Sequence, residues 1–232
     1  MREPQTKRVF LLSPANASGK RAQMVLRPEA TFELAERLRE SGAPLGEVYS
    51  FVSGLYFRGK LAYARAFAEP PAETPGVLII TAARGLVSPD ASVTAHDLRE
   101  NAEVQIDQEN PKYRQPLERD ALDLARRLAA DCEVVLLGSV ATPKYVQPLL
   151  GIFGERLMFP SEFTGRGDMS RGGLMLRAVR AAAQLSYAPI VNAARHGQKP
   201  AKLPKCPGIL KDREIEGRKM EVREIAKRRS KY

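Results

Sequence analysis

Hydrophobic and polar positions along the chain alternate between two kinds of run. Four short stretches carry a run of consecutive apolar residues: "RVFLLSP" (Arg8–Pro14), "GVLIITA" (Gly76–Ala82), "EVVLLGS" (Glu133–Ser139) and "RLMFPS" (Arg156–Ser161). Continuous apolar runs of this length predict strands buried on both faces. Helical spacing lies between them. Arg27–Ser41 predicts a helix with Pro28 in its first turn and Phe32, Leu34, Ala35 and Leu38 as apolar positions. Ser53–Ala68 predicts a second, with Tyr56, Phe57, Leu61, Ala64 and Phe67 as its buried stripe. Pro116–Asp131, Pro143–Gly154 (with Pro148 as a point of interruption) and Met169–Tyr187 predict three more. Residues 91–116 are polar and without period, and read as a long irregular excursion near the site.

Apolar strands alternating with helices imply an α/β fold: three layers, α/β/α, around a central four-stranded, mainly parallel sheet. A basic helical tail follows, so that the expected organisation is an α/β domain over residues 1–190 and a C-terminal extension over 191–232. In such sheets the ligand sits at the carboxyl ends of the strands. That rule selects the loops Ser13–Lys20, Ala83–Asp90, Gly138–Lys144 and Pro160–Gly173, which are also rich in Gly, Asn, Ser, Asp and Arg.

Composition narrows the class. At 44% hydrophobic, the 232 residues can bury a proper core. No apolar run approaches the roughly 20 residues that span a bilayer, and the N-terminal "MREPQTKRVFLLSP" lacks the length and cleavage site of a signal peptide. Cys132 and Cys206 lie far apart without metal spacing. A reducing, cytoplasmic compartment is expected, with no membrane association and a monomeric state. Net charge is +10. Most of it lies in residues 195–232, where about 13 Lys or Arg face about 5 Asp or Glu, roughly +8. A tail of that charge can neutralise phosphates and supply salt-dependent affinity for nucleic acid.

The loops carry the candidate chemistry. In "SPANASGK", Asn16 offers an amide donor and acceptor, Lys20 a cation and Ser13 a hydroxyl, though the same spacing suits a turn in which Asn16 caps the next element. In "TAARGLVSPD", Arg84 and Asp90 fit either a binding loop or a surface ion pair around a tight turn. Tyr145 in "GSVATPKY" can stack on a base or pack its own helix. In "FPSEFTGRGDMSRGG", glycines can bring backbone close to a ligand, Arg166 and Arg171 can line an anion site at a helix N-terminus, Ser161, Glu162 and Gly167 can contact substrate or DNA, and Asp168 can serve as a catalytic carboxylate or as a helix cap, with Glu162 and Asp90 as the other candidate carboxylates. His96 and His196 have no partners at ligand spacing, and neither a G-x-S-x-G elbow, a G-x-G-x-x-G fingerprint nor a P-loop is present, so no metal or cofactor is expected.

The order "SGLYFRGKLAYARAF", "VLIITAARGLVSPD", "VVLLGSVATPKYVQPLL" resembles bacterial domains related to the YaaA family over roughly residues 9–187. The same domain type is similar to the catalytic part of archaeosine synthase and, more distantly, to the uracil-DNA glycosylase superfamily. Asn16 stands where that superfamily carries the Asp or Asn that positions water, and "FPSEFTGRG" is similar to its DNA-gripping "HPSPLS" loop, with Phe159 in place of the histidine. A "GQDPYH" loop is absent. The resemblance implies a DNA glycosylase that flips out and excises a modified base from double-stranded DNA, such as a glucosylated hydroxymethylcytosine. Asn16 would orient water, and Asp90 or Asp168 would stabilise the sugar cation. Lys20 would act as a Schiff-base nucleophile in a variant of the scheme. A base-modifying enzyme acting on RNA through a 7-deazaguanine, or a DNA-binding protein without catalysis, is the alternative.

Overall fold

A computed structural model describes residues 6–193 together with 197, 198, 200, 201 and 203. The expected tail helix, Cys206 and His196 lie outside the described residues. The four apolar runs form the parallel centre of one sheet: β1 (Arg8–Leu12), β3 (Val77–Thr81), β6 (Glu133–Leu137) and β7 (Leu157–Pro160). Two short antiparallel strands close it, β4 (Gly85–Val87) beside β3 and β8 (Tyr187–Pro189) beside β7. The order is β4-β3-β1-β6-β7-β8. The sheet is therefore mixed and six-stranded, not four-stranded as the hydrophobic pattern predicts. The two edges escape that pattern because each is three residues long and only partly buried. Pro189 suits an edge, where a strand can lack a donor. A separate two-residue pair, β2 (Ala43–Pro44) with β5 (Ser92–Val93), braces the polar region.

Strand alternation divides the core. Phe10 and Leu12 of β1 face the cluster that holds α1 (Lys20–Leu26), α2 (Glu33–Glu40), α3 (Leu45–Ser53), α4 (Leu55–Phe67), α5 (Ala95–Glu103) and α8 (Asp168–Arg180). Val9 and Leu11 face the cluster of α6 (Pro111–Arg127) and α7 (Pro143–Phe153). Helices thus cover both faces, which is why the strands carry no polar face. Arg8 pins the amino end of β1. Its guanidinium donates to Glu133 on β6 and to Gln184, and lies 4.4 Å from the Tyr187 ring centroid on the edge strand.

Several helices differ from the expected boundaries for local reasons. Residues 91–116 are not irregular: Thr94 and Asp97 form a capping box that starts α5, and Asn110 caps α6 through Lys112 N–H. Gly54, at φ 63°, ends α3 and begins α4 in a left-handed turn that a side chain would strain. Pro148 does not interrupt α7. A proline cannot donate to the carbonyl four residues before it, here Lys144, and the Tyr113 hydroxyl of α6 donates to that oxygen instead, at 3.0 Å.

The helix pair α4 and α8 crosses at two glycines. A Cβ on Gly59 would lie 2.7 Å from the Gly172 carbonyl oxygen, and one on Gly172 would lie 2.9 Å from both the Leu55 carbonyl oxygen and Tyr56 Cα. This backbone-to-backbone approach brings Tyr56 and Lys60 of α4 against Asp168 and Arg171 of α8.

Candidate active site

The strand order reverses direction at β1: the chain builds outward to β3 on one side and to β6 on the other. At such a switch point the loops leaving neighbouring strands part and open a crevice. A cavity of about 810 Å³ lies there. Its floor is Ser13 to Ser18 after β1, and its far side is Ser139 to Tyr145 after β6. The end of α5 with the loop to Ile106 forms one wall, and Tyr49, Tyr56 and Asp168 complete it. A volume of this size suits a small organic ligand.

Side chains on the floor are held in place. Asn16 is exposed, and its Oδ1 accepts from Ser18 N–H at 3.1 Å and Ser18 Oγ at 2.8 Å, the local turn its spacing allows. Ser13 is buried and accepts from Lys60, whose Nζ donates to the Ser13 carbonyl at 2.5 Å and to Ser13 Oγ at 2.9 Å. Asn101 shapes the back: its Oδ1 accepts from the N–H groups of Ala82 and Ala83, and its Nδ2 donates to the Asp97 carbonyl.

Lys60 is fully buried between the Tyr56 and Phe57 rings, 4.5 and 4.8 Å from their centroids. Burial drives its pKa down to about 7, against a smaller opposing pull from Asp168. Burial likewise raises the Tyr49 and Tyr145 hydroxyls, and pushes Tyr56 up to about 12. Arg171 and Ser13 stand close enough to Tyr56 to oppose that rise, yet its buried hydroxyl meets no partner at hydrogen-bonding geometry among the described residues.

The expected site residues divide. Ser13, Asn16, Tyr145 and Asp168 line the one cavity. Lys20 is exposed at the first turn of α1, outside its lining. Asp90 is exposed and paired with Arg65. Arg84 pairs with Asp97 and Glu100, the surface arrangement that its loop also permits. Burial pushes the Asp97 carboxyl up, but the Thr94 N–H and hydroxyl with Arg84 outweigh it and hold the pKa below the ordinary value. Ser161 and Glu162 bond to Ser186 of the neighbouring segment. Arg166 donates to the Glu162 carbonyl and to Ser170 Oγ. Gly167 caps α8.

Arg171 is turned inward. Both Nε and Nη2 donate to the Phe163 carbonyl at 3.2 Å, and the guanidinium lies 5.5 Å from the Phe163 ring centroid. The glycines of that loop also serve packing: Gly172 admits α4, and Gly165, at φ 70°, runs against the backbone of Gln198. Arg171→Ala is therefore expected to lower unfolding free energy by about 2 kcal/mol in urea titrations, because a buried carbonyl loses its donor. The salt dependence of nucleic-acid binding should not change, whereas a phosphate contact would lower that slope by about one.

Nothing matches this chain among family models, curated proteins or solved structures. No helix among the described residues is long and apolar enough to cross a membrane. No group of three or more His, Cys, Asp or Glu among them is placed to hold a metal ion.

The residues that sequence reasoning passes over are Lys60, Tyr56 and Asn101. Tyr56 reads as part of an apolar stripe, and Lys60 stands beside that stripe as an ordinary surface lysine would.

Proposed function

We propose that the cavity receives a nucleobase turned out of a DNA strand, and that the protein hydrolyses the N-glycosidic bond of a modified base. The observation that carries this reading is the convergence of Asn16 and Asp168 on one cavity at the switch point of the sheet. A flipped base needs a pocket of this scale with aromatic walls and a few fixed polar groups. Tyr145 and Tyr49 border that pocket from the core, with little of either side chain exposed. Asn16 keeps its Oδ1 on Ser18, so Nδ2 is the group that donates to a base carbonyl or to water. Asp168, on the first turn of α8 with its side chain 67% exposed, supplies a carboxylate to the sugar as it gains oxocarbenium character. The loop resemblance to the uracil-DNA glycosylase superfamily supports the same assignment, and the basic C-terminal sequence is suited to holding the phosphate backbone.

An abasic-site assay tests it. Purified protein is incubated with unmodified, uracil-containing and glucosyl-hydroxymethylated DNA, then with alkali. Strand breaks are expected on one modified substrate and are expected to disappear with Asn16→Ala and Asp168→Asn. Intact strands on all three, with DNA still bound, would sink excision and favour the RNA-modifying or pure binding alternative.

A further inference from the structure

Resting on that reading, we propose that Ser13 is the group that hands a proton to the departing base, and that Lys60 is the proton source behind it. Ser13 lines the cavity floor while its Oγ lies 2.9 Å from Lys60 Nζ, which has no exposure of its own. The lysine cannot meet a ligand directly; the serine hydroxyl is the atom that connects it to the cavity. Tyr56 lines the same cavity, and its buried hydroxyl, without a hydrogen-bond partner among the described residues, offers a second donor beside the serine.

The step balances as follows. The bond between sugar C1′ and base nitrogen breaks, and its electron pair goes to the base. The base takes the Ser13 hydroxyl proton at a ring nitrogen or carbonyl oxygen. Ser13 takes a proton from Lys60, which becomes neutral. Water adds to C1′ and gives up a proton to Asp168 or solvent. Lys60 is reprotonated from solvent once the base leaves. The substrate class this selects is a base that would otherwise depart as an anion and leaves neutral by accepting that proton, a lactam pyrimidine or purine with an oxygen or nitrogen able to take it.

The surroundings allow the lysine to change charge near neutrality. Its neighbours are Ser13 after β1, Tyr56 and Phe57 on its own helix, and Asp168 with Arg171 on α8; Tyr49 and Tyr145 stand around the cavity from α3 and α7. Among these, Asp168 is the carboxylate that favours the charged form, and burial opposes it and lowers the pKa to about 7. A neutral Lys60 keeps two N–H donors, enough to hold the Ser13 carbonyl while accepting from the hydroxyl.

The experiment has two arms. In the first, the Lys60 side chain of the substrate-free protein is followed by carbon-13 NMR from pH 5 to 10. A midpoint near 7 is expected, displaced in Ser13→Ala; a midpoint above 9 overturns the relay. In the second, single-turnover base release is measured from pH 5.5 to 9 on the substrate found by the alkali assay. Wild-type rates should fall about tenfold per pH unit above pH 7. Ser13→Ala and Lys60→Met should be about 10²-fold slower at pH 6, with a flat profile in place of the fall. A wild-type rate that rises with pH, or a Lys60→Met profile that keeps the wild-type fall, overturns the proposal. Absence of release by wild type at every pH overturns the excision reading and with it the handover to a departing base, whereas release with a Lys60 midpoint above 9 overturns the relay alone.

Discussion

Gly172→Val is expected to cost the protein at least about 3 kcal/mol of stability, the upper range for overpacking, because the obstacle is main chain on both sides. A Cβ at this position would stand 2.9 Å from the Leu55 carbonyl oxygen and from Tyr56 Cα, atoms that no rotamer change can move. Valine adds two methyl groups beyond that Cβ. The helices must separate, and separation exposes the packing of Met175 and Ala178 against α4. Urea unfolding followed by circular dichroism measures the loss. Gly151→Ala is the control: nothing lies within 4 Å of its Cβ position in α7, so alanine there should raise stability by about 0.5–1 kcal/mol through helix propensity. A Gly172→Val protein with the wild-type urea midpoint would refute the close crossing.

The second large effect is a pH dependence. An unfolded lysine holds its proton up to about pH 10.4, whereas folded Lys60 releases its proton near pH 7. Between these values the unfolded state binds more protons, so stability rises with pH. Below pH 7 both states are charged and the burial penalty is fully present. From pH 7 to pH 9 wild type should gain about 2 kcal/mol relative to Lys60→Met, which fills similar space without a titrating group. Taking the difference between the two proteins cancels Cys132 and the tyrosines, whose buried forms titrate at the alkaline end in both. Parallel stability curves for the two proteins across that window would show that Lys60 keeps an ordinary pKa.

The strands that build the sheet's centre were legible because each carries a run of consecutive apolar residues, a direct mark of burial on two faces. The strand-end rule selects the segments that carry Ser13, Asn16 and Asp168, which line one cavity with Tyr145, whereas the selected Ala83–Asp90 loop gives that cavity no lining residue. The edges β4 and β8 were not legible, since three half-buried residues leave no period to detect. Nor was the division of labour among charged groups. Arg171, Asp90 and Arg84 have the residue types of a binding loop, but Arg171 turns its guanidinium onto the Phe163 carbonyl and pairs with Asp168 at 3.6 Å, Asp90 pairs with Arg65, and Arg84 with Asp97 and Glu100. Lys60 shows the reverse: nothing in its own residue type announces burial. Its environment is created by a crossing with a helix more than a hundred residues later.

The tie between Tyr113 and the Lys144 carbonyl has a consequence for how this chain can vary over time. Pro148 leaves that oxygen without its usual helical donor, and the tyrosine answers the need from the opposite helix. The two positions therefore behave as one inherited character. A lineage that replaced the proline would restore an internal bond and set the tyrosine hydroxyl at liberty to drift to phenylalanine; a lineage that kept the proline would have to keep the hydroxyl. Since Lys144 and Tyr145 border the cavity, selection acting on the ligand would reach a residue on α6 that never touches it.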